Sequence, residues 1–67
     1  MSTKQIVEIR GVDIRAETAN AILIYYKGFE YWIPYSQIDK VERNNKAPNL
    51  SAVVMTEWIA RTKNIPY

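Results

Sequence analysis

Residues 21–34 read AILIYYKGFEYWIP, two runs of β-forming side chains separated by Lys27 and Gly28. Isoleucine, tyrosine, phenylalanine and tryptophan are enriched in strands, and a glycine-containing pair between two such runs is typical of a tight hairpin. Pro34 has no N–H group to donate to a ladder, so it ends the second strand. This stretch therefore predicts a β-hairpin, and it is the best-supported element of the chain.

A two-residue loop at Lys27-Gly28 divides the hairpin into two faces. We expect the core face to carry Ile22, Ile24, Tyr26, Phe29, Tyr31 and Ile33, and the opposite face to carry Leu23, Tyr25, Glu30 and Trp32. On that opposite face, Leu23 and Trp32 can pack beneath a neighbouring segment such as a C-terminal helix. Lysine is not a favoured first residue of the tightest turn, so a register shifted by one residue is the alternative.

The segment before the hairpin, QIVEIRGVDIRAE, alternates apolar and charged residues on both sides of Gly11. Val7 and Ile9 share one parity, whereas Val12 and Ile14 share the other. A change of parity at a glycine is what a β-bulge produces, because one extra residue reverses the inward and outward assignment. We therefore predict two strand segments bent at Gly11.

After the hairpin, PYSQ favours a short 3₁₀ turn that leads into a strand, IDKV, with Ile38 and Val41 facing inward. Residues 43–49, RNNKAPN, have the composition of a loop, and LSAVVM predicts a last short strand.

The C-terminal segment predicts a short helix at about residues 56–64. Thr56 is a suitable N-cap, and Glu57 lies in the first turn, where its charge suits the helix macrodipole. A helix of about two turns is marginal alone, so we expect Trp58 and Ile59 to dock on the sheet.

Length and composition limit the possibilities. A chain of 67 residues has room for one domain, 1–67, and 48% hydrophobic with 24% charged residues is typical of a folded protein. Cysteine is absent, and no apolar run approaches the roughly 18 residues needed to span a bilayer. These features favour a soluble cytoplasmic domain without membrane association.

Catalysis is disfavoured by the residue inventory. The chain has no histidine and no cysteine, which removes the commonest general base, the Cys-His and Ser-His pairs and the usual zinc ligands. Gly11 and Gly28 are its two glycines, so a glycine-rich phosphate loop is excluded. We expect no catalytic residue, no cofactor, no metal and no small-molecule substrate.

The stretch ETANAILIYYKGFEYWIPYSQI resembles, over about a third of the chain, small phage and prophage proteins of uncharacterised function. Those proteins share an AIL strand, a glycine-containing turn, a WIP.S.I segment and often a C-terminal EW.A helix, which TEWIARTKNI matches. The resemblance implies origin and fold. A strand, a proline, a one-turn helix and another strand is also how a Src-homology-3-like barrel closes. The predicted fold is mainly β (α+β): a small Src-homology-3-like, five-stranded antiparallel barrel or curled sheet with one short C-terminal α-helix.

The aromatic surplus of the hairpin predicts a protein-binding surface. Tyrosine and tryptophan are over-represented among interface hot spots, because they contribute area at low entropic cost. The candidate anchors are Tyr25, Phe29, Tyr35 and Tyr67, with Lys27 and Glu30 at the rim. A phage setting makes an inhibitor or adaptor of a host enzyme or defence complex a reasonable form of this function, with no target indicated. Tyrosines that simply cover a thin core are the structural alternative.

Two other interpretations stay open. Exposed aromatics beside Lys27, Lys40, Arg43 and Lys46 resemble a single-stranded nucleic-acid surface, although a net charge of +2 with interspersed acids counts against it. A homodimer through the first strand or the tyrosines would bury the same side chains, since a small open sheet leaves edges that invite pairing.

Overall fold

A computed structural model describes residues 5–67, so the first four residues of the predicted domain lie outside the described range. The elements are strands β1 (Ile6–Glu17), β2 (Ala21–Tyr26) and β3 (Phe29–Pro34), a 3₁₀ turn (Tyr35–Gln37), β4 (Ile38–Glu42), a second 3₁₀ turn (Pro48–Leu50), β5 (Ser51–Thr56) and helix α1 (Glu57–Thr62). The prediction of a mainly β domain with one short C-terminal helix is confirmed.

The five strands form one antiparallel sheet in the order β3-β2-β1-β5-β4. The long strand β1 belongs to both halves of this sheet. Its first part pairs with β5, from Ile6 opposite Thr56 onward, and its last part pairs with β2, up to Glu17 opposite Ile22. Within residues 5–67 the sheet is open, because β3 and β4 each have one neighbouring strand. Of the two predicted forms, a barrel or a curled sheet, the closed barrel does not occur, and the five antiparallel strands form one open sheet.

Gly11 lies at the point where β1 changes partners, and it has a φ of 75°. The register between β1 and β5 shifts between Arg10 and Val12, which confirms the predicted bulge. β1 nevertheless continues through the bulge as one strand. A second irregularity, between Ile14 and Ala16 in the pairing with β2, was not predicted from the sequence.

The hairpin has the predicted register. Lys27 and Gly28 have φ values of 50° and 89°, as a two-residue turn of type I′ requires. Tyr26 is opposite Phe29, and the pairing continues without a shift to Ala21 opposite Pro34. The one-residue shift considered as an alternative does not occur, since both turn residues adopt the left-handed conformation.

The core lies on the inner face of the sheet and beneath α1. It contains Ile9, Val12, Ile22, Ile24, Ile33, Val53, Met55, Ile59, Ala60 and Ile65, with Ile38, Val41, Tyr26 and Tyr31 partly buried against it. The inward positions predicted for β2 and β4 are confirmed. Phe29 is different: it was assigned to the core face, but it is 67% exposed. Its position beside the turn carries it past the end of the core.

Helix α1 docks through one side. The Oγ1 atom of Thr56 accepts a hydrogen bond of 3.2 Å from the N–H of Ile59, which confirms the N-cap. Ile59 and Ala60 are buried, whereas Trp58 is 63% exposed, so the prediction that Trp58 docks on the sheet was wrong. Successive helical residues point about 100° apart, so one short helix cannot bury Trp58 together with both neighbours that follow it.

The helix packs on β5 and β1. It does not cover the outer side of the hairpin, and Trp32 is 43% exposed. Packing of Trp32 beneath the helix, one arrangement considered from the sequence, therefore does not occur. Within the described residues, no helix is long and apolar enough to cross a membrane.

Candidate functional site

The outer hairpin face is formed by Leu23, Tyr25, Glu30 and Trp32, together with the neighbouring Asp13 and Arg15 of β1. Tyr25 is opposite Asp13 on one side and Glu30 on the other, and Leu23 is opposite Trp32. Tyr25 is 36% exposed and Trp32 is 43% exposed. Two large aromatic side chains are thus partly open to solvent on one face of the sheet.

Arg15 is held on this face by three neighbours. Its guanidinium carbon lies 4.4 Å from the centre of the Tyr25 ring. Its Nε atom donates to Asp13 Oδ2 at 2.9 Å, and its Nη1 atom lies 3.9 Å from Glu30 Oε2. A cation over an aromatic face is attracted by the ring quadrupole, and the two carboxylates fix the orientation of the planar guanidinium. The outer hairpin face therefore presents an aromatic surface with an ordered polar rim.

The edge of β3 beside this face carries backbone groups that β2 does not use. Tyr26 and Phe29 flank a two-residue turn, so they form a hydrogen-bonded pair, and such pairs alternate along an antiparallel ladder. The hydrogen bond of 2.9 Å from the Tyr35 N–H to the Asn20 carbonyl follows the same alternation. The N–H and C=O groups of Glu30 and Trp32 consequently point away from β2.

A second polar cluster joins the ends of three strands. Glu17, at the end of β1, accepts hydrogen bonds from Arg43 at 2.8 and 2.6 Å and from the Tyr35 hydroxyl at 2.8 Å. Tyr35 follows β3 and Arg43 follows β4. Glu17 thereby links the two edge strands of the open sheet. We call these three residues the Glu17 cluster.

Hydrogen bonding within the Glu17 cluster shifts its ionisation. The bonds from Arg43, and then that from Tyr35, hold the pKa of Glu17 below its ordinary value. The same hydrogen bond to Glu17 is the main cause that raises the pKa of Tyr35. Both candidate binding residues of this cluster, Tyr35 and Arg43, are thus engaged within the chain.

The outer surface of the other half of the sheet is charged and internally paired. Arg10 lies 3.2 Å from Glu8, and Lys40 lies 3.2 Å from Glu42. A shallow groove of about 520 Å³ on this side is lined partly by Arg10, Glu42 and Lys46. Acidic and basic groups alternate there, as is typical of a solvated sheet surface.

The structure distributes the predicted binding residues over several places. Tyr25 and Glu30 lie on the outer hairpin face. Lys27 lies in the turn, with its Nζ atom 5.4 Å from the centre of the Tyr26 ring. Phe29 lies on the inner side of the hairpin, because it is directly opposite Tyr26, which is partly buried against the core.

The remaining candidates lie elsewhere. Tyr35 and Arg43 belong to the Glu17 cluster, and Lys40 and Lys46 lie on the β4 side of the molecule. Tyr67 is 57% exposed, and its hydroxyl donates to Glu57 at 2.9 Å. The eight predicted site residues therefore do not form one surface.

Sequence reasoning missed three residues of these clusters. Trp32 was considered as a residue that can pack beneath a neighbouring segment such as the helix, although its place opposite Leu23 was predicted correctly. Arg15 and Glu17 were treated only as charged residues of the alternating segment before the hairpin. The position of Arg15 beside Tyr25 follows from the pairing of β1 with β2, whereas Glu17 meets partners 18 and 26 residues away, which no local pattern indicates.

Among residues 5–67, no group of three or more Asp and Glu side chains is placed to hold a metal ion. Comparison of the chain with protein-family models, with curated proteins and with solved structures gave no significant match. The function is therefore inferred from the surface described above.

Proposed function

We propose that this domain is a non-catalytic binding module that holds another protein on its outer hairpin face. The observation that supports this most is the co-location of Trp32, Tyr25 and Arg15 on one exposed surface. Tryptophan, tyrosine and arginine are the residues most enriched among interface hot spots. Here they come from three adjacent strands, and β-ladder pairing fixes their spacing.

The surface is also preorganised for binding. Arg15 is already oriented by Asp13 and Tyr25, so a partner does not need to immobilise it. Ordering a flexible side chain at an interface costs about 0.5 to 1.5 kcal/mol, and this cost is reduced here. Leu23 is half-buried opposite Trp32 and adds apolar surface inside the polar rim.

Single-stranded nucleic acid is the weaker alternative. The guanidinium of Arg43 is bound by Glu17, and the ammonium group of Lys40 lies beside Glu42. Phosphate binding would have to compete with these carboxylates. The distribution of charge therefore favours a protein partner.

The finer assignments belong to the same proposal. Five antiparallel strands with a one-turn helix between β3 and β4 support a Src-homology-3-like arrangement. The phage-type origin rests on the resemblance of the hairpin and the helix, and an inhibitor or adaptor of a host enzyme or defence complex is the corresponding role. The absence of cysteine supports action in a reducing compartment such as the cytoplasm.

Site-specific photo-crosslinking in the native host tests the proposal. A photo-reactive amino acid at position 30, on the outer hairpin face, should give a discrete adduct with a protein other than a second copy of this chain. The same probe at position 40, on the opposite half of the sheet, should not. Trp32→Ser should abolish the adduct, whereas Trp58→Ser should leave it, because Trp58 is more exposed but lies on the helix.

Three results would contradict the proposal. Equal yields of adduct from positions 30 and 40 would show random collision and no specific binding surface. An adduct that still forms in Trp32→Ser would show that the outer hairpin face does not take part in the interaction. In host lysate, an adduct that no longer forms after nuclease treatment, or whose yield falls steeply between about 50 and 200 mM salt, would favour the nucleic-acid alternative.

A further inference from the structure

The two edges of the sheet differ in how they are protected. β4 has an irregularity between Ile38 and Lys40, and it carries Asp39, Lys40 and Glu42 in five residues. Bulges, charges and prolines are the usual devices that prevent edge strands from pairing, and the proline of β3, Pro34, stands at its last position. β3 pairs with β2 without any shift from Phe29 to Pro34, and Glu30 is its single charged residue. Within the described chain, β3 is therefore the edge that is less protected against pairing with another strand.

We propose that β3 pairs in antiparallel fashion with β3 of a second copy of this chain, with the two-fold axis at Tyr31. In this register Glu30 of one copy is opposite Trp32 of the other. Both residues direct N–H and C=O groups away from β2, so the pairing forms four backbone hydrogen bonds across the axis. The ladder ends at Pro34, which has no N–H to offer.

Neighbouring registers of the same parity are less favourable. A ladder centred on Glu30 would place the two Glu30 carboxylates directly opposite each other, and like charges there are destabilising. A ladder centred on Trp32 would place Glu30 opposite Pro34, which leaves the Glu30 carbonyl without a donor. The register centred on Tyr31 avoids both defects.

This pairing gives Phe29 a role that the isolated chain does not provide. Phe29 is 67% exposed although it lies on the inner side of the hairpin. With the axis at Tyr31, Phe29 of one copy is opposite Ile33 of the other, and the two Tyr31 side chains are opposite each other. Aromatic pairs and aromatic–β-branched pairs are the cross-strand contacts that stabilise sheets.

The outer hairpin face stays available in such a dimer. Edge pairing uses backbone groups, whereas side chains stand roughly perpendicular to the sheet. Two outer hairpin faces would thus lie side by side in one continuous ten-stranded sheet. The inference does not depend on the proposed function, and either can fail without the other.

A proline placed on the edge tests the hydrogen bonds. The Glu30 N–H does not serve the β2–β3 ladder, so Glu30→Pro removes outward donors while keeping the hairpin. The matched control is Glu30→Gln, which removes the charge and keeps the N–H. In sedimentation equilibrium we expect wild type and Glu30→Gln to dimerise alike, and Glu30→Pro to weaken the dimer at least about tenfold with an unchanged circular dichroism spectrum. A monomeric wild type at millimolar concentration would overturn the inference.

An introduced cysteine tests the register independently, because the chain contains no other thiol. Residues directly opposite in a non-hydrogen-bonded pair have Cα atoms about 4.5 Å apart, within reach of a disulfide. Tyr31→Cys should therefore form a covalent dimer rapidly under mild oxidation. Asp39→Cys, on the β4 edge, is the control and should react slowly. Equal rates, or faster reaction of Asp39→Cys, would overturn the assignment of the edge.

Discussion

The half of the sheet formed by β2, β3 and the end of β1 and the half formed by β5, β4 and the start of β1 share one core, but their outer side chains differ in exposure and pairing. On the hairpin half, Trp32 and Tyr25 are partly open to solvent and Arg15 is stacked on a ring. On the other half, Arg10 is paired with Glu8 and Lys40 with Glu42. The two halves therefore differ in the side chains that they offer to a partner, and the proposed binding function rests on this difference.

The largest effect is expected from the shared core. Ile24 of β2 and Val53 of β5 are fully buried in different halves. Ile24→Ala should lower the free energy of unfolding by about 2 to 5 kcal/mol, because it leaves a cavity. Val53→Ala should be smaller but clearly destabilising. Leu50→Ala is the control and should change stability by about 0.5 kcal/mol or less, since Leu50 is 59% exposed.

The same urea titrations show whether the halves unfold together. Trp32 reports on the hairpin and Trp58 on the helix that packs on β5 and β1. In variants that keep one of the two tryptophans, Trp58→Phe and Trp32→Phe, fluorescence should give a single common midpoint. A hairpin that unfolds at lower urea than the helix would show that the two halves do not share one cooperative core.

A smaller effect is expected at the bulge between the halves. Gly11 has a φ of 75°, and a Cβ atom there would meet no atom within 4 Å. Gly11→Ala should therefore destabilise through backbone strain alone, by about 1 to 2 kcal/mol in urea unfolding. Gly11→Asn should cost less, because asparagine tolerates the left-handed region. If Gly11→Ala and Gly11→Asn were both as stable as wild type, the backbone of the bulge would relax without a cost in free energy.

The Glu17 cluster links the edges of the two halves, and its contribution should depend on pH. Because the pKa of Glu17 is lowered in the folded chain, its stabilisation is present above its unfolded pKa, about 4.3, and is lost as pH falls through the lower folded value. Glu17→Gln should be less stable than wild type at pH 7, and the difference should disappear on acidification. Thermal unfolding at a series of pH values measures it.

Arg43→Gln provides the control for this prediction, since Arg43 is the main cause of the lowered pKa. It should remove most of the same pH dependence, and the double variant should be little worse than either single variant. Additive losses would show that Glu17 and Arg43 stabilise the fold through separate contacts.

The smallest effects on stability are expected from two outer arginines, Arg10 and Arg15, which should differ in their effect on binding. Arg10→Ala and Arg15→Ala should each change the free energy of unfolding by less than about 1 kcal/mol, because their ion pairs are exposed. Only Arg15→Ala should reduce the photo-crosslinked adduct formed from position 30. Equal loss of the adduct in both variants would remove the functional difference between the halves.

The hairpin shows what local sequence can predict. Alternation in residues 21–34 gave the register, the turn and the buried positions Ile22, Ile24 and Ile33, because side-chain period and turn chemistry are local properties. Gly11 was identified for the same reason. Among the candidate site residues, Tyr25 and Glu30 were placed on the correct face by the same alternation.

Tertiary structure decided which neighbours these local elements meet. The helix docks on β5 and β1 through Ile59 and Ala60, so Trp32 stays exposed and Trp58 points outward. Glu17 joins residues 18 and 26 positions further along the chain, and Arg15 meets Tyr25 through strand pairing. Hydrophobic alternation specifies which side of a strand faces inward, but the choice of covering element depends on the packing of the whole chain, which no local pattern contains.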